Sequence, residues 1–453
     1  MTTSMEQGTM LKAAGNIAPN EVHQTLGRHM LADGFQMVLD LERSHGSYLY
    51  DAITGNRFLD FFTFFASNPL GMNHPKLNTP EFITKIGKVA LHKPSCSDLY
   101  TVEMAEFVEA FFRVAVPSHF RYSFFIEGGA LAVENALKVA FDWKVRKNFA
   151  KGHTQEIGQK VIHFRHAFHG RSGYTMTLTN TDPTKTDLFP KFQGWPRITS
   201  PGATFPLEGD NLQRTKQLEQ QAIAEIEEAF RQNPDDIACI ILEPIQAEGG
   251  DNHFRPEFLA ELRRLCDQNE ALLIFDEVQT GVGMTGTMWA HQGLGVLPDI
   301  ITFGKKTQVC GILVGPRVDE VPDNVFHKSS RINSTWGGNL VDMVRFTKVL
   351  EIIEEENLVE NARLVGQHLL GRLHQLQQEF PNLVSNVRGR GLMCAVDLPT
   401  AELRNTFREQ CYANGLMILG CGDHSIRFRP ALNITAEVID EGLEVIRGVL
   451  AGM

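Results

Sequence analysis

Leu272-Leu273-Ile274-Phe275-Asp276-Glu277 is an apolar run that stops abruptly at two acids. Four apolar residues without alternation read as a strand buried on both faces, and the acid at its exit reads as a group delivered to the end of a sheet. The pattern recurs along the chain. Tyr122–Ile126 runs into Glu127-Gly128-Gly129-Ala130 and then a helical pattern over residues 131–143, with apolar side chains at 131, 133, 137, 140 and 141. Residues 161–164 lead into His166 and on to Arg171, Ile237–Leu242 delivers Glu243, and Ile300–Phe303 delivers Gly304-Lys305. Strands alternating with helices predict an α/β unit with a mostly parallel sheet, whose ligand chemistry gathers beyond the carboxyl ends of its strands.

Outward from this block the pattern changes. Residues 46–60 read as a hairpin around Thr54-Gly55-Asn56. Residues 342–356 and 359–380 carry long helical patterns, Arg388-Gly389-Arg390-Gly391 a glycine-rich approach to a strand, and the C-terminus a last helix. The expected division is a large domain over residues 76–345 and a small α+β domain built from residues 1–75 and 346–453. The opening MTTSMEQGTMLKAAGN has neither a basic nor an apolar region of the kind a secretory signal needs, and reads as a loose lead-in.

Composition narrows the classes of function. The 453 residues carry 43 Lys plus Arg against 54 Asp plus Glu, a formal charge of −11. That argues against a general nucleic-acid surface and leaves room for single arginines aimed at a small acidic ligand. The seven cysteines are odd in number, scattered and without a CxxC pair, as expected of reduced thiols in a cytoplasm and not of a disulfide framework or a zinc site. No run of about 18 apolar residues suggests a membrane span.

Two motifs point the wrong way. Gly281-Val282-Gly283-Met284-Thr285-Gly286 matches GxGxxG, but the strand before it ends at Phe275 and Lys305-Lys306 stands where a dinucleotide site needs an acid. Phe275-Asp276-Glu277 resembles a magnesium-binding strand end of an NTPase, yet no GxxxxGK[ST] phosphate loop accompanies it.

An acid at one strand end, a lysine at the next and a glycine-rich turn before a helix together suit pyridoxal 5'-phosphate. Its aldehyde bonds a lysine, its ring nitrogen pairs with a carboxylate, and its phosphate suits the amides of a helix N-terminus. Lys305, Asp276 and Gly128-Gly129-Ala130 are the candidates. Taken singly, each has a plainer reading as a solvated lysine, a helix cap and a turn.

Longer motifs then become recognisable. Residues 127–138 (EGGALAVENALK), Phe168-His169-Gly170-Arg171, residues 243–250 (EPIQAEGG), Asp276-Glu277-Val278-Gln279-Thr280-Gly281 and Phe303-Gly304-Lys305 stand in the order and at the spacing of the class III, fold-type I aminotransferases of the omega-amino group, which the chain resembles. Residues 333–339 (NSTWGGN) and 427–432 (RFRPAL) extend the match. Within that family the lysine-acting members are resembled through residues 303–311 (FGKKTQVCG) and 333–339.

The resemblance implies the fold-type I architecture, a seven-stranded large-domain sheet, and a homodimer with shared sites. It implies that Lys305 bonds the cofactor and moves the proton, and that Asp276 pairs with the ring nitrogen. Gln279 would meet the ring hydroxyl, Phe168 would stack on the ring, both bordering the substrate, and Gly129 and Ala130 would hold the phosphate with Thr335 from the other subunit. Arg171 becomes the distal carboxylate clamp and Arg427 the proximal one, with Glu248 neutralising Arg427 when lysine is bound. Ala247 departs from the Gly or Ser often found in relatives. Glu243 is expected to support the site, and Arg429 competes with Arg427 for the clamp, since strand alternation sends both to one face. A core aromatic is the alternative for Phe168, and a solvated loop acid for Glu248. The implied reaction moves the terminal amine of L-lysine to 2-oxoglutarate, giving L-glutamate and 2-aminoadipate 6-semialdehyde. Ornithine or 4-aminobutyrate as donor, and a mutase or decarboxylase on the same fold, remain open at this point.

Overall fold

Seven strands form the central sheet of the computed structural model, which describes residues 17–453; the opening segment read as a lead-in lies outside the described residues. Their order is Tyr122–Ile126, Cys310–Val314, Ile300–Phe303, Leu272–Asp276, Ile237–Leu242, Lys160–Phe164, Arg197–Ile198. Only Cys310–Val314 runs antiparallel to its neighbours. The uninterrupted apolar strands are buried on both faces, as their composition requires. Ile240, Leu242, Leu273 and Phe275 pack to one side of the sheet, while Cys239, Ile241, Leu272 and Ile274 pack to the other.

Two of the seven strands have no clear signal in the sequence. Arg197–Ile198 is only two residues long, and Cys310–Val314 follows a turn in which Lys305 and Gln308 take φ of +54° and +63°. Gly311 interrupts the latter's apolar run because the neighbouring strand lies close: a Cβ there would sit 2.2 Å from Phe124 O. The helix read over 131–143 extends over Gly129–Ala150. Its last turns bury polar groups that hydrophobic periodicity cannot count. Lys144 Nζ donates to Glu270 O at 2.9 Å, and Asn148 Nδ2 to Ile157 O and Asp235 O at 2.9 and 2.8 Å.

The N-terminal hairpin pairs Tyr48–Tyr50 with Arg57–Asp60, and Leu416–Met417 joins Arg57–Asp60 in parallel, so the two ends of the chain meet in one sheet. A second, antiparallel sheet holds Ser385–Arg390, Met393–Asp397, Ser425–Phe428 and Leu419–Cys421 in that order. Helices Leu358–Glu379, Ala401–Ala413 and Ala436–Ala451 accompany it. Helix Leu340–Glu355 runs through residue 345 and packs on Val102–Val114, so the expected division at 345 falls within an element. All seven cysteines are buried and unpaired. Among the described residues no helix is long and apolar enough to cross a membrane.

Candidate active site

Three adjacent parallel strands, Ile237–Leu242, Leu272–Asp276 and Ile300–Phe303, carry Glu243, Asp276 and Lys305 to the same edge of the sheet. A cavity of about 530 Å³ opens there, lined by Gly129, Ala130, Phe168, Arg171, Glu248, Asp276, Gln279, Lys305 and Arg427. Of the site residues expected from the sequence, Gly128 stands just outside the lining and Thr335 is away from it, exposed, its carbonyl accepting a hydrogen bond from Ser95 Oγ. A cleft of about 600 Å³ elsewhere, bordered by His253, Arg255, Arg363 and Arg390, contains none of them.

The buried Asp276 carboxylate is fixed on both oxygens. His169 Nδ1 lies 2.8 Å from Oδ2, while Thr302 Oγ1 and Val278 N donate to Oδ1 at 3.0 and 3.1 Å. Behind it Glu243 accepts from Phe168 N and Ala247 N at 2.9 and 3.1 Å, which ties the Phe168 loop to the Glu248 loop. Burial pushes Glu243 up to about 7, and Asp276 beside it adds to the rise. His169 Nε2 is buried without a partner among the described residues.

Lys305 sits in a left-handed backbone conformation, half-buried in the cavity wall. Burial, then the Arg427 cation, lowers its amine to about 8. In the cofactor-free chain the neutral form therefore gains ground from about pH 8, where ordinary lysines are still charged. Acetylation followed by peptide mass spectrometry should show Lys305 labelling rising through pH 8, and a midpoint near that of surface lysines would contradict this. Lys306 has a different task. It is 1% exposed, donates to Gln279 O at 2.6 Å and Ala66 O at 3.4 Å, and is held well below the usual lysine value by burial.

Arg427, 2% exposed, donates through Nη2 to Glu248 Oε2 at 2.8 Å; its Nε and Nη1 are buried without acceptors among the described residues. Arg171 stands at the exposed edge of the same cavity. Arg427 and Arg429 part company because the strand ends at Phe428. Arg429 lies beyond it, its N donating to Phe61 O, and its guanidinium is bound to the buried Asp251. Glu248 also meets Lys185, whose Nζ is 2.6 Å from Oε1. Burial works to raise Glu248, but Arg427 and Lys185 together hold it below the usual carboxylate range.

One wall is built from an unusual backbone. Thr63, Phe64, Phe65 and Ala66 all have positive φ, between +41° and +63°, and Phe64 and Phe65 border the cavity. Such a left-handed turn costs about 1–2 kcal/mol per residue, and buried hydrogen bonds offset it. Asp60 Oδ1 accepts from Phe62 N and Thr63 N at 2.9 and 2.7 Å, Thr63 Oγ1 donates to Arg429 O at 2.6 Å, and Gln279 Nε2 donates to Phe65 O at 3.3 Å. Phe64, Phe65 and Lys185 have no local signal: an apolar run and a lone lysine look like core and surface until the fold places them. His169 was legible as part of a motif, but its bond to Asp276 was not.

The two misleading motifs are loop and capping devices. Gly281-Val282-Gly283-Met284-Thr285-Gly286 opens no helix, and a Cβ at Gly281 would lie 2.4 Å from the Trp289 ring. Glu277 accepts from Ala290 N and His291 N at 2.6 and 3.0 Å.

The donor set fits pyridoxal phosphate. Helix Gly129–Ala150 begins at the cavity after Gly128, which has φ of +95° and no side-chain cap, so its first amides are left for an anion. A pinned acid and a lysine amine without an acceptor among the described residues complete the set. A family model described as aminotransferase class-III matches residues 30–450, and the chain belongs to that family of pyridoxal-phosphate-dependent transaminases. The L-lysine-epsilon aminotransferase of Mycobacterium tuberculosis is 54% identical over 433 residues, covering 95% of this chain and 96% of that protein. The protein of the same name from Streptomyces clavuligerus is 50% identical over 435 residues, covering 95% and 94%. A solved structure of the M. tuberculosis lysine aminotransferase aligns with a TM-score of 0.94, over 96% of this chain and 99% of that one.

Proposed function

We propose that the chain transfers the terminal amine of L-lysine to 2-oxoglutarate, giving L-glutamate and 2-aminoadipate 6-semialdehyde, which cyclises to piperideine-6-carboxylate. The observation that carries this reading is the pair of arginines on one cavity. Arg427 is buried with two donors unused, and Arg171 stands at the exposed edge. Lysine presents one carboxylate, far from the amine that leaves, and 2-oxoglutarate presents two. Guanidinium groups stay charged and bind carboxylates through paired donors, so Arg171 serves both substrates and Arg427 serves the diacid. Glu248 neutralises Arg427 while lysine is present. Two relatives named as lysine-epsilon aminotransferases, each similar over nearly the whole chain, support the choice of donor.

When bound, pyridoxal phosphate supplies an aldehyde that receives the amine and a ring that accepts electron density from the carbon losing its proton. Gly129 and Ala130 would hold its phosphate, joined by Thr335 of the partner subunit; Phe168 would pack on the ring, Gln279 would meet the ring hydroxyl, and Asp276, oriented by His169 and Thr302, would keep the ring nitrogen protonated. Lys305 would hold the aldehyde through its amine, and that Nζ, when free, would hold and move the proton at the substrate carbon. Exposure of Leu91, Leu99, Tyr100 and Trp336 favours a second copy covering this side and forming a homodimer.

A donor panel tests the reading. Ornithine is one methylene shorter than lysine, a difference worth about tenfold or more in kcat/KM, and 4-aminobutyrate lacks the alpha-amino group. Lysine should lead both by at least that factor, with reaction stopping after one turnover until 2-oxoglutarate is added. Faster turnover of ornithine or 4-aminobutyrate would move the donor and leave the aminotransfer standing; sustained turnover without a keto acid would point to a mutase or decarboxylase.

A further inference from the structure

Glu248 has two cationic partners, and the exchange of substrates just described uses only Arg427. The other is Lys185, in the short helix Pro183–Thr186. Its Nζ stands 2.6 Å from Glu248 Oε1 while Arg427 Nη2 stands 2.8 Å from Oε2, so the carboxylate is bridged with one oxygen on each cation. The backbone around Glu248 is pinned. Ala247 N donates to Glu243 Oε2 at 3.1 Å, Gly422 N donates to Glu248 O at 2.9 Å, and a Cβ at Gly249 would fall 1.9 Å from His166 O. Release of Arg427 is therefore a rotation of the Glu248 side chain about a fixed pivot. Lys185 has little else to hold: its other acid, Asp182, is 3.9 Å away and accepts from Thr184 N at 2.9 Å.

We propose that Lys185 is the second anchor of this gate, a positioning residue that keeps hold of the Glu248 carboxylate when the incoming diacid takes Arg427. The proposal rests on the reading of Glu248 as gate and Arg427 as clamp. With lysine in the cavity Glu248 has both cations; with the diacid it has Lys185 alone. A carboxylate leaving a buried arginine for no partner would forfeit charge-assisted hydrogen bonding altogether, whereas one that pivots onto a lysine keeps half of it. Loss of the Lys185 charge therefore costs the open gate more than the closed one, and the penalty falls on the keto-acid half-reaction.

The test compares Lys185→Met and Lys185→Arg in the parent enzyme and in a Glu248→Gln background, with thermal melts to verify folding. Lys185→Met should raise the KM for 2-oxoglutarate by about tenfold, a change suited to one charge-assisted bond, and lower kcat/KM for lysine by no more than about threefold. Lys185→Arg should recover most of the loss. In the Glu248→Gln background Lys185→Met should have no further effect, because the partner it anchors is gone. A loss that persists there would mean that Lys185 binds the keto acid itself, and equal losses for donor and acceptor would mean a merely structural lysine; either overturns the proposal. Unchanged 2-oxoglutarate kinetics in Glu248→Gln alone would overturn the gate, a separate result from failure of its anchor.

Discussion

Lys305→Ala is expected to lower aminotransfer from lysine to 2-oxoglutarate by at least about four orders of magnitude, since the proposed mechanism has one side chain both bond the cofactor and carry the proton. Its neighbour does not inherit the work. Lys306 Nζ is spent on Gln279 O at 2.6 Å and Ala66 O at 3.4 Å, lines no part of the cavity and is held well below the usual lysine value by burial. The two lysines are adjacent in sequence and opposite in use, because Lys305 takes φ of +54° at the end of its strand and turns one amine to the cavity and the other to the protein. The variant should keep its fold, since Lys305 Nζ makes no hydrogen bond among the described residues. Turnover above about one hundredth of the parent, with folding verified by thermal melting, would remove Lys305 from its role. A Lys306→Met variant with the larger loss would exchange the two.

The central block was legible because its physics is local. A strand buried on both faces must be apolar throughout, and its end is marked by the first polar residue, which is how the amino-acid order alone places Glu243, Asp276 and Lys305 at strand ends that prove to be neighbours. What stayed hidden depends on contacts between distant segments. Lys185 meets Glu248 across 63 residues and His169 meets Asp276 across 107. The left-handed turn at Thr63–Ala66 has no glycine to announce it and is held by Asp60, Arg429 O and Gln279, from three separate parts of the chain. Alternation could not separate Arg427 from Arg429, because the strand stops at Phe428 and the second arginine leaves the pleat to pair with Asp251. Three of the left-handed residues, Phe64, Phe65 and Lys305, border the cavity, where positioned groups outweigh backbone preference.

Arg427→Ala is expected to lower kcat/KM for 2-oxoglutarate by about a thousandfold and to lower that for lysine by about tenfold or less. Truncating one partner of a buried, hydrogen-bonded charge pair costs about 2–5 kcal/mol, and here that loss is confined to one substrate. Among the described residues the one side chain that Arg427 hydrogen-bonds is Glu248, at 2.8 Å, the contact proposed to persist with lysine bound, and without Arg427 that acid still has Lys185 at 2.6 Å. In the proposed mechanism Nη2, released by Glu248, pairs with Nε or Nη1, both buried and without acceptors among the described residues, to form the fork that a carboxylate needs. Arg427→Lys should restore little, because an ammonium offers a point charge and no planar fork. Glu248 is only partly buried and keeps Lys185 when Arg427 is removed, so the variant should melt within a few degrees of the parent while losing its acceptor. Pre-steady-state measurement of each half-reaction separates the two effects. Equal losses from lysine and from 2-oxoglutarate would mean that Arg427 supports the cavity as a whole, and the division of labour between a buried clamp and an exposed one would be wrong.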